Sequence, residues 1–352
     1  MKLFSKNFIG IDIGTSSIKV VELGKDKGKT LSNYGILGAD YFMGKARQSR
    51  EKGTLGINES IASEALSSIL KESGIKSKDA FFAIPDYATF FTTFNLPAMS
   101  ESEIPEAVKY EAPRRIPLPL SEVTLDWQLI KGGPSKDGRT ALRVLLVAVP
   151  NDLIAQYQKI ALSVGLKVVA LEAEVFALVR ALVKYQDKSN VVCLVDIGER
   201  STTINIVAQG ILKVSYSFDV SGENFTDAIS KKLQVDTKKA ETIKRIFGVT
   251  DKKPVIQEIT MPIATAILEK IKSIFDEIYL EDKERAGKVI LAGNGATLIG
   301  FSDYLSAELN LPVEIANPFL GIAYPPTLDE TLKKLGSGFT IAVGMALRGF
   351  NK

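Results

Sequence analysis

Asp12 and Asp196 have the neighbours that metal and phosphate chemistry needs. Asp12 ends the apolar run Phe8-Ile9-Gly10-Ile11, and Gly14, Thr15, Ser16 and Ser17 follow before a second β-branched run through Lys19 to Glu22. Asp196 ends Val191–Val195 in the same way, with Gly198, Arg200, Ser201 and Thr202 ahead of Ile204-Asn205-Ile206-Val207. A tight turn of small and hydroxyl residues points backbone N–H groups into one concavity, which suits a phosphate. An aspartate at the strand end could hold a hydrated Mg²⁺ against that phosphate. Asp-Xaa-Gly between strands is also what an ordinary hairpin looks like. Its recurrence half a chain later, flanking strands included, points to two related domains closing on one nucleotide. A dinucleotide fingerprint fits poorly, because it needs a helix after the glycine turn and Ile18–Leu23 reads as strand.

A third stretch, Val289–Leu298, reads as strand, glycine turn and helix start. Gly293, Asn294, Gly295 and Ala296 would let a ligand come close, with helix N-terminal amides to meet it. Glu172 and Glu174 open the helix expected over Glu172–Leu182. They could face the cleft, where they are the only candidates for activating water, or simply favour the helix N-terminus. The chain has no histidine, which excludes a Ser-His-Asp triad and zincin chemistry. Its single cysteine, Cys193, lies in an apolar run and reads as a buried strand residue, so no intramolecular disulfide exists. A net charge of +3 over 352 residues gives little electrostatic reason to expect nucleic acid or a membrane surface. The chain shows no signal peptide or membrane-spanning run, so a cytoplasmic protein reaching a membrane only through a partner is expected.

The elements that must position these residues follow from punctuation and periodicity. Thr30–Leu37 reads as a third antiparallel strand and Gly44–Gly56 as a loop. Asn58 or Ser60 caps a helix whose Ile61, Ala65, Leu66, Ile69 and Leu70 share a face, and Ala80–Ile84 is a strand. From Thr92 the character changes. Ser102 should cap a short helix ended by Pro113, the Pro-rich run Arg114–Leu120 follows, and Val123–Ile130 pairs with Ala141–Val149 around the loop Lys131–Arg139. Arg114 and Arg115 could be a partner site or a solvated pair. Asn151 or Asp152 caps the next helix, and Lys167–Leu171 is a short strand. In the second half Ser221 and Asp236 cap helices, Ile259–Tyr279 is a long helix, and Gly336–Arg348 is a packed helix crossing back to the first domain. Two domains follow: residues 1–91 and 151–189 form the first, with a small α+β insert at 92–150. Residues 190–335 form the second, with a helical subdomain at about 222–285, and residues 336–352 return to the first.

Taken together, these stretches resemble the actin-like ATPase superfamily: an α/β, ribonuclease H-like bilobed fold around a nucleotide cleft. Ile11–Val20 looks like its first phosphate loop, Val195–Ile206 its second and Leu291–Leu298 its adenosine loop. Ala240-Glu241 with Lys244 resembles the Ala-Glu-x-x-Lys helix of bacterial members. That resemblance implies Glu241 at the ribose and Lys244 beside the adenine, where spacing alone favours a surface ion pair. The expected nucleotide set then includes Gly222 and Glu223. Leu96-Pro97-Ala98-Met99-Ser100, Ile116-Pro117-Leu118-Pro119 and Trp127-Gln128 resemble the insert of the PilM family of type IV pilus assembly, which is FtsA-related. The resemblance spans nearly the whole chain. It implies ATP and Mg²⁺ as ligands and the cytoplasmic N-terminal tail of a PilN-like membrane protein as partner, with self-association also open. One departure bears on activity: actin-like hydrolases carry glycines after the second Asp-x-Gly where this chain has Glu199-Arg200. Slow or absent ATP hydrolysis is therefore expected. An FtsA-like division filament, or a small-molecule kinase of the same fold, are the alternatives.

Overall fold

The computed structural model describes residues 7–25, 28–38, 58–131, 141–183 and 191–350. The loop expected over Gly44–Gly56, and nearly all of the one over Lys131–Arg139, lie outside the described residues. Two five-stranded sheets share one strand order. The first takes β1 (Phe8–Ile13), β2 (Ile18–Gly24), β3 (Thr30–Leu37), β4 (Asp79–Ile84) and β8 (Lys167–Ala173) in the order β3-β2-β1-β4-β8. The second takes β9 (Val191–Ile197), β10 (Thr202–Ala208), β11 (Ile211–Phe218), β12 (Ala286–Ala292) and β13 (Val313–Ile315) in the order β11-β10-β9-β12-β13. In each sheet the hairpin strands pair antiparallel and the later strands join in parallel. β1 is buried along its full length because α-helices cover both faces of its sheet, which is why it reads as a continuous apolar run rather than an alternating one.

Helix α1 (Glu59–Glu72) starts as expected, with the Asn58 side chain accepting the Ser60 N–H at 2.8 Å. It packs with α3 (Asn151–Ser163) on one face of the first sheet. On the other face lie α4 (Glu174–Leu182) and α10 (Thr340–Arg348), and the core around them includes Val192, Leu194 and Ile290 of the second sheet. These two helices therefore form the joint between the lobes. The final helix lies against β1 of the first sheet, and the residues ahead of it, Gly336–Phe339, form a 3-10 turn.

The insert is a separate three-stranded antiparallel sheet, β5 (Phe90–Leu96), β6 (Val123–Lys131) and β7 (Leu142–Pro150), in the order β5-β7-β6, covered by α2 (Ile104–Glu111). Its outer strand β5 is not predicted from the sequence. It is a strand because Phe94 and Leu96 alternate into the insert core while Asn95 faces out. Ser102 does not cap α2. Glu103 closes that turn instead, its carboxylate accepting the Ser100 N–H at 2.8 Å. Asn151 is the first residue of α3 rather than its cap, and its side chain ties the insert down through the Ser121 carbonyl and the Thr124 hydroxyl.

In the second lobe α5 (Gly222–Leu233) and α6 (Thr237–Phe247) open at Ser221 and Asp236 as the sequence predicts. The long helix α7 runs further than expected, from Pro254 to Asp282, straight through Pro262. Proline forfeits one helical hydrogen bond there, and the buried stripe Ala264, Ile267, Leu268, Ile271, Ile274 and Ile278 outweighs that loss. The turn after β12 is a 3-10 turn, Asn294–Thr297, and the helix proper, α8 (Phe301–Leu309), begins only after Gly300. The α-helix start expected at the end of Val289–Leu298 is therefore replaced by this turn. The last helical element before the return is α9 (Asp329–Leu335). Among the described residues no helix is long and apolar enough to cross a membrane.

Candidate functional site

The two Asp-Gly turns are built alike. Gly14 N–H donates to the Ser17 carbonyl at 3.0 Å and Gly198 N–H to the Ser201 carbonyl at 2.9 Å, so each hairpin closes over four residues. Register then places Lys19 opposite Asp12 and Thr203 opposite Asp196. Lys19 Nζ lies 3.3 Å from Asp12 Oδ2, and both side chains are buried. The third loop reaches the second hairpin: a β-carbon on Gly293 would come within 2.6 Å of Asp196 Oδ1, and its φ of +80° is one that side chains rarely adopt. Gly293 N–H donates to the Ser337 carbonyl at 3.0 Å. Gly338 sits between Asn294 and the Lys19 stem. All three loops and the lead-in to α10 thus face one cleft. Asp12, Gly14, Thr15, Ser16, Ser17 and Lys19 line it from one side, and Asp196, Gly198, Arg200, Ser201, Gly293 and Asn294 from the other.

Burial and the Asp12 charge push the Asp196 carboxyl up to about 6, with Lys19 opposing. Glu174 also lines the cleft and is pushed up, first by burial and then by Asp86, Asp12 and Asp196. Asp86 is a residue the sequence reading missed. Its N–H donates to Glu174 Oε2, and its Oδ1 accepts the Val175 N–H, both at 3.2 Å, so the two acids brace each other across the start of α4. Burial raises Asp86 to about 8, with Asp196 adding to the effect. Its place becomes visible only with the sheet order. Ile84-Pro85-Asp86 ends a strand parallel to β1, and open α/β sheets place ligands at the carboxyl ends of parallel strands. Tyr87 and Glu199 line the cleft as well and were not among the predicted contacts.

Other predicted residues fall elsewhere. Glu172 is not at the helix start. It lies on strand β8 and faces away from the cleft, where Arg180 (2.7 Å) and Arg348 (2.9 Å) both hold its Oε1. The strand continues two residues past Leu171, so the pleat turns Glu172 away while Glu174 begins the helix. Thr202 is fully buried, and its hydroxyl is spent on the Val220 carbonyl at 2.6 Å. Gly295 packs against Ile197, and Ala296 belongs to the core of the second lobe.

Gly222, Glu223, Glu241 and Lys244 flank the second hairpin rather than line the cleft itself. Gly222 and Glu223 donate their N–H groups to the Gly198 and Glu199 carbonyls, at 3.0 and 2.9 Å. Lys244 Nζ reaches the Gly222 carbonyl at 3.1 Å and Glu241 Oε2 at 2.6 Å, and Glu241 also accepts from Thr226 and Arg245. Desolvation works against the charged Glu241, but Lys244 and these donors hold its carboxyl below the ordinary range. The pair exists as an ion pair, buried on the lysine side. Arg114 and Arg115 project from the turn after α2. Each pairs with Glu111 (3.1 and 3.5 Å), and they stack on Tyr110 and Phe94 respectively.

A cleft lined by hydroxyls, glycine backbone, a lysine, an arginine and the two buried aspartates has the donor set of a phosphate site and the carboxylates of a divalent cation site. The profile of the family described as type IV pilus assembly protein PilM matches residues 10–350. The chain belongs to the PilM family. A chain of the PilM–PilN type IV pilus biogenesis complex shares its fold, with a TM-score of 0.83, 23% identity and 98% of each chain covered. An MreB protein of Spiroplasma citri bound to AMPPNP aligns over 98% of this chain and 96% of its own, with a TM-score of 0.56 and 14% identity. The cell division protein FtsA of Staphylococcus epidermidis is 23% identical over 371 residues, covering 90% of this chain and 76% of that protein. The fold of this PilM-family chain is accordingly the bilobed actin-like one.

Proposed function

We propose that the chain is an ATP-binding scaffold of type IV pilus assembly that binds Mg·ATP between its two lobes and docks the cytoplasmic tail of a PilN-like membrane protein. The observation that carries the nucleotide reading is the convergence of both Asp-Gly hairpins and the Gly293 loop on one cleft. Hydroxyls of Thr15, Ser16, Ser17 and Ser201, with Lys19 and Arg200, would hold the phosphates, and Asp12 and Asp196 the magnesium through water. The bound cation would offset the burial, and the weaker repulsion from Asp12, that now raise Asp196. Glu241 and Lys244 would contact the nucleoside from the flank of the second hairpin. Turnover is slow or absent in this reading, because Glu199-Arg200 stand where backbone glycines would approach the terminal phosphate. The PilN named in the neighbouring complex supports a PilN-like partner. Recruitment through that partner puts the protein on the inner face of the cytoplasmic membrane.

Calorimetric titration with AMPPNP, with magnesium and then with chelator, tests the nucleotide reading, and titration with a PilN-tail peptide tests the partner. Saturable magnesium-dependent binding of AMPPNP is expected, and no heat at millimolar nucleotide would refute the site. Filaments sedimenting with ATP would favour the FtsA-like alternative.

A further inference from the structure

Arg143 ties together two parts of the molecule that chain order keeps apart. It stands on β7 of the insert, and its guanidinium forks onto Asp282 (Nη1 to Oδ2, 2.8 Å) and Glu281 in the last turn of α7. The Arg143 and Asp282 side chains are only 16% and 8% exposed, so salt screens the pair weakly. A second tie lies alongside, where Lys213 on β11 donates to the Ile130 carbonyl on β6 at 2.9 Å. The insert leaves the first lobe after β4 and re-enters it at α3. It is therefore joined to one lobe by the chain and to the other by these polar ties and by the apolar cluster that holds Ile130, Val147 and Leu212.

The far end of α7 reaches the nucleotide side. Ile256, in its first turn, packs with Ile229 of α5 and Ala240 of α6, and the Thr260 hydroxyl donates to the Gly248 carbonyl at 3.0 Å. Those two helices carry Gly222 and the Glu241–Lys244 pair. With 29 residues at 1.5 Å each, α7 is about 43 Å long. Its buried stripe belongs to the core of the second lobe, so the helix and that lobe move as one packed body.

We infer that Arg143 is a latch through which occupancy of the cleft is felt by the insert. The inference rests on the nucleotide reading and adds its regulation. The lobes meet at α4 and α10, so closing them about that joint changes the separation between β7, carried by one lobe, and the end of α7, carried by the other. A guanidinium fork is directional, and it must either drag β7 with it or let go. A ligand that favours one cleft state then shifts the insert, and a partner seated on the insert shifts cleft affinity by the same factor.

Hydrogen exchange of the full chain with and without Mg·AMPPNP tests the latch in wild type, Arg143→Ala and the pair Glu281→Gln with Asp282→Asn. In wild type, nucleotide is expected to protect both Asp-Gly hairpins and to change exchange in β6 and β7 by about ten-fold. In both variants the hairpins stay protected while the β6–β7 response falls below about two-fold. The swap of Arg143→Asp with Asp282→Arg restores it. Protected hairpins with an unmoved insert in wild type, or variants that respond like wild type, overturn the latch and leave the nucleotide reading standing. Unprotected hairpins together with absent binding heat remove both.

Discussion

Asp12 and Asp196 sit in matching turns but in different electrostatic states, and their substitutions should separate accordingly. Each loss to alanine is expected to weaken Mg·ATP by about ten- to a hundred-fold, the usual cost of a charge-assisted contact. Their effects on the nucleotide-free protein should be opposite. Asp12→Ala strands the buried Lys19 ammonium and lowers the melting temperature. Asp196→Ala removes a charge that burial and Asp12 already disfavour, and raises it. Scanning calorimetry of both variants without ligand checks this. Asp196 and Asp86, near 6 and 8, lie above the ordinary carboxylate value, so ionising them costs the folded state. Their contribution to stability is fully present below about pH 4 and is lost as pH rises through about 6 and then about 8. The nucleotide-free melting temperature should fall from pH 5 to pH 8.5, and Asp86→Asn should flatten the upper half of that fall. Mg·ATP affinity should run the other way, dropping below about pH 6 as Asp196 takes up its proton.

At the scale of elements, the joint between the lobes depends on two glycines that meet backbone. A β-carbon on Gly10 of β1 would run into the Ala342 carbonyl of α10, and one on Gly344 of α10 into the Ala177 carbonyl of α4. Arg180 caps this packing by donating to the Gly344 carbonyl at 3.0 Å. Gly10→Ala and Gly344→Ala should each destabilise by about 2–3 kcal/mol through overpacking, read by chemical denaturation. Gly74→Ala is no control, because its φ of +67° strains any side chain, whereas Gly38→Ala, with no described residue within 4 Å of the added carbon, should be neutral. Gly10 reads in the sequence only as part of a strand, while the Gly- and Ala-rich run Gly336–Arg348 does read as a closely packed helix without disclosing which backbone Gly344 meets. The hairpins were readable because a four-residue turn and its flanking register are local. Strand β5 was not, since its partner β7 lies about fifty residues on and Pro97 masks its end. Glu172 was misplaced for a similar reason, because pairing with β4 carries β8 through Ala173.

For the whole molecule, the insert packs against both lobes while its arginine pair faces solvent. Reversing the charge of Arg114 and Arg115 should weaken binding of a PilN-tail peptide by about ten-fold while leaving nucleotide affinity within about two-fold, since the pair does not line the cleft. Equal losses at both sites would count against a partner role for these arginines.

The amino-acid order alone determined the repeated strand–Asp–Gly–hydroxyl units, the helix cap at Asp236 and the buried cysteine strand, because each is set by residues a few positions apart. Only the tertiary structure decided that Glu174 and not Glu172 meets the cleft, that Asp86 braces it, and that Arg143 joins the insert to α7. Those facts depend on which strand ends lie side by side and which lobes share a face, and long-range packing fixes that where local spacing cannot.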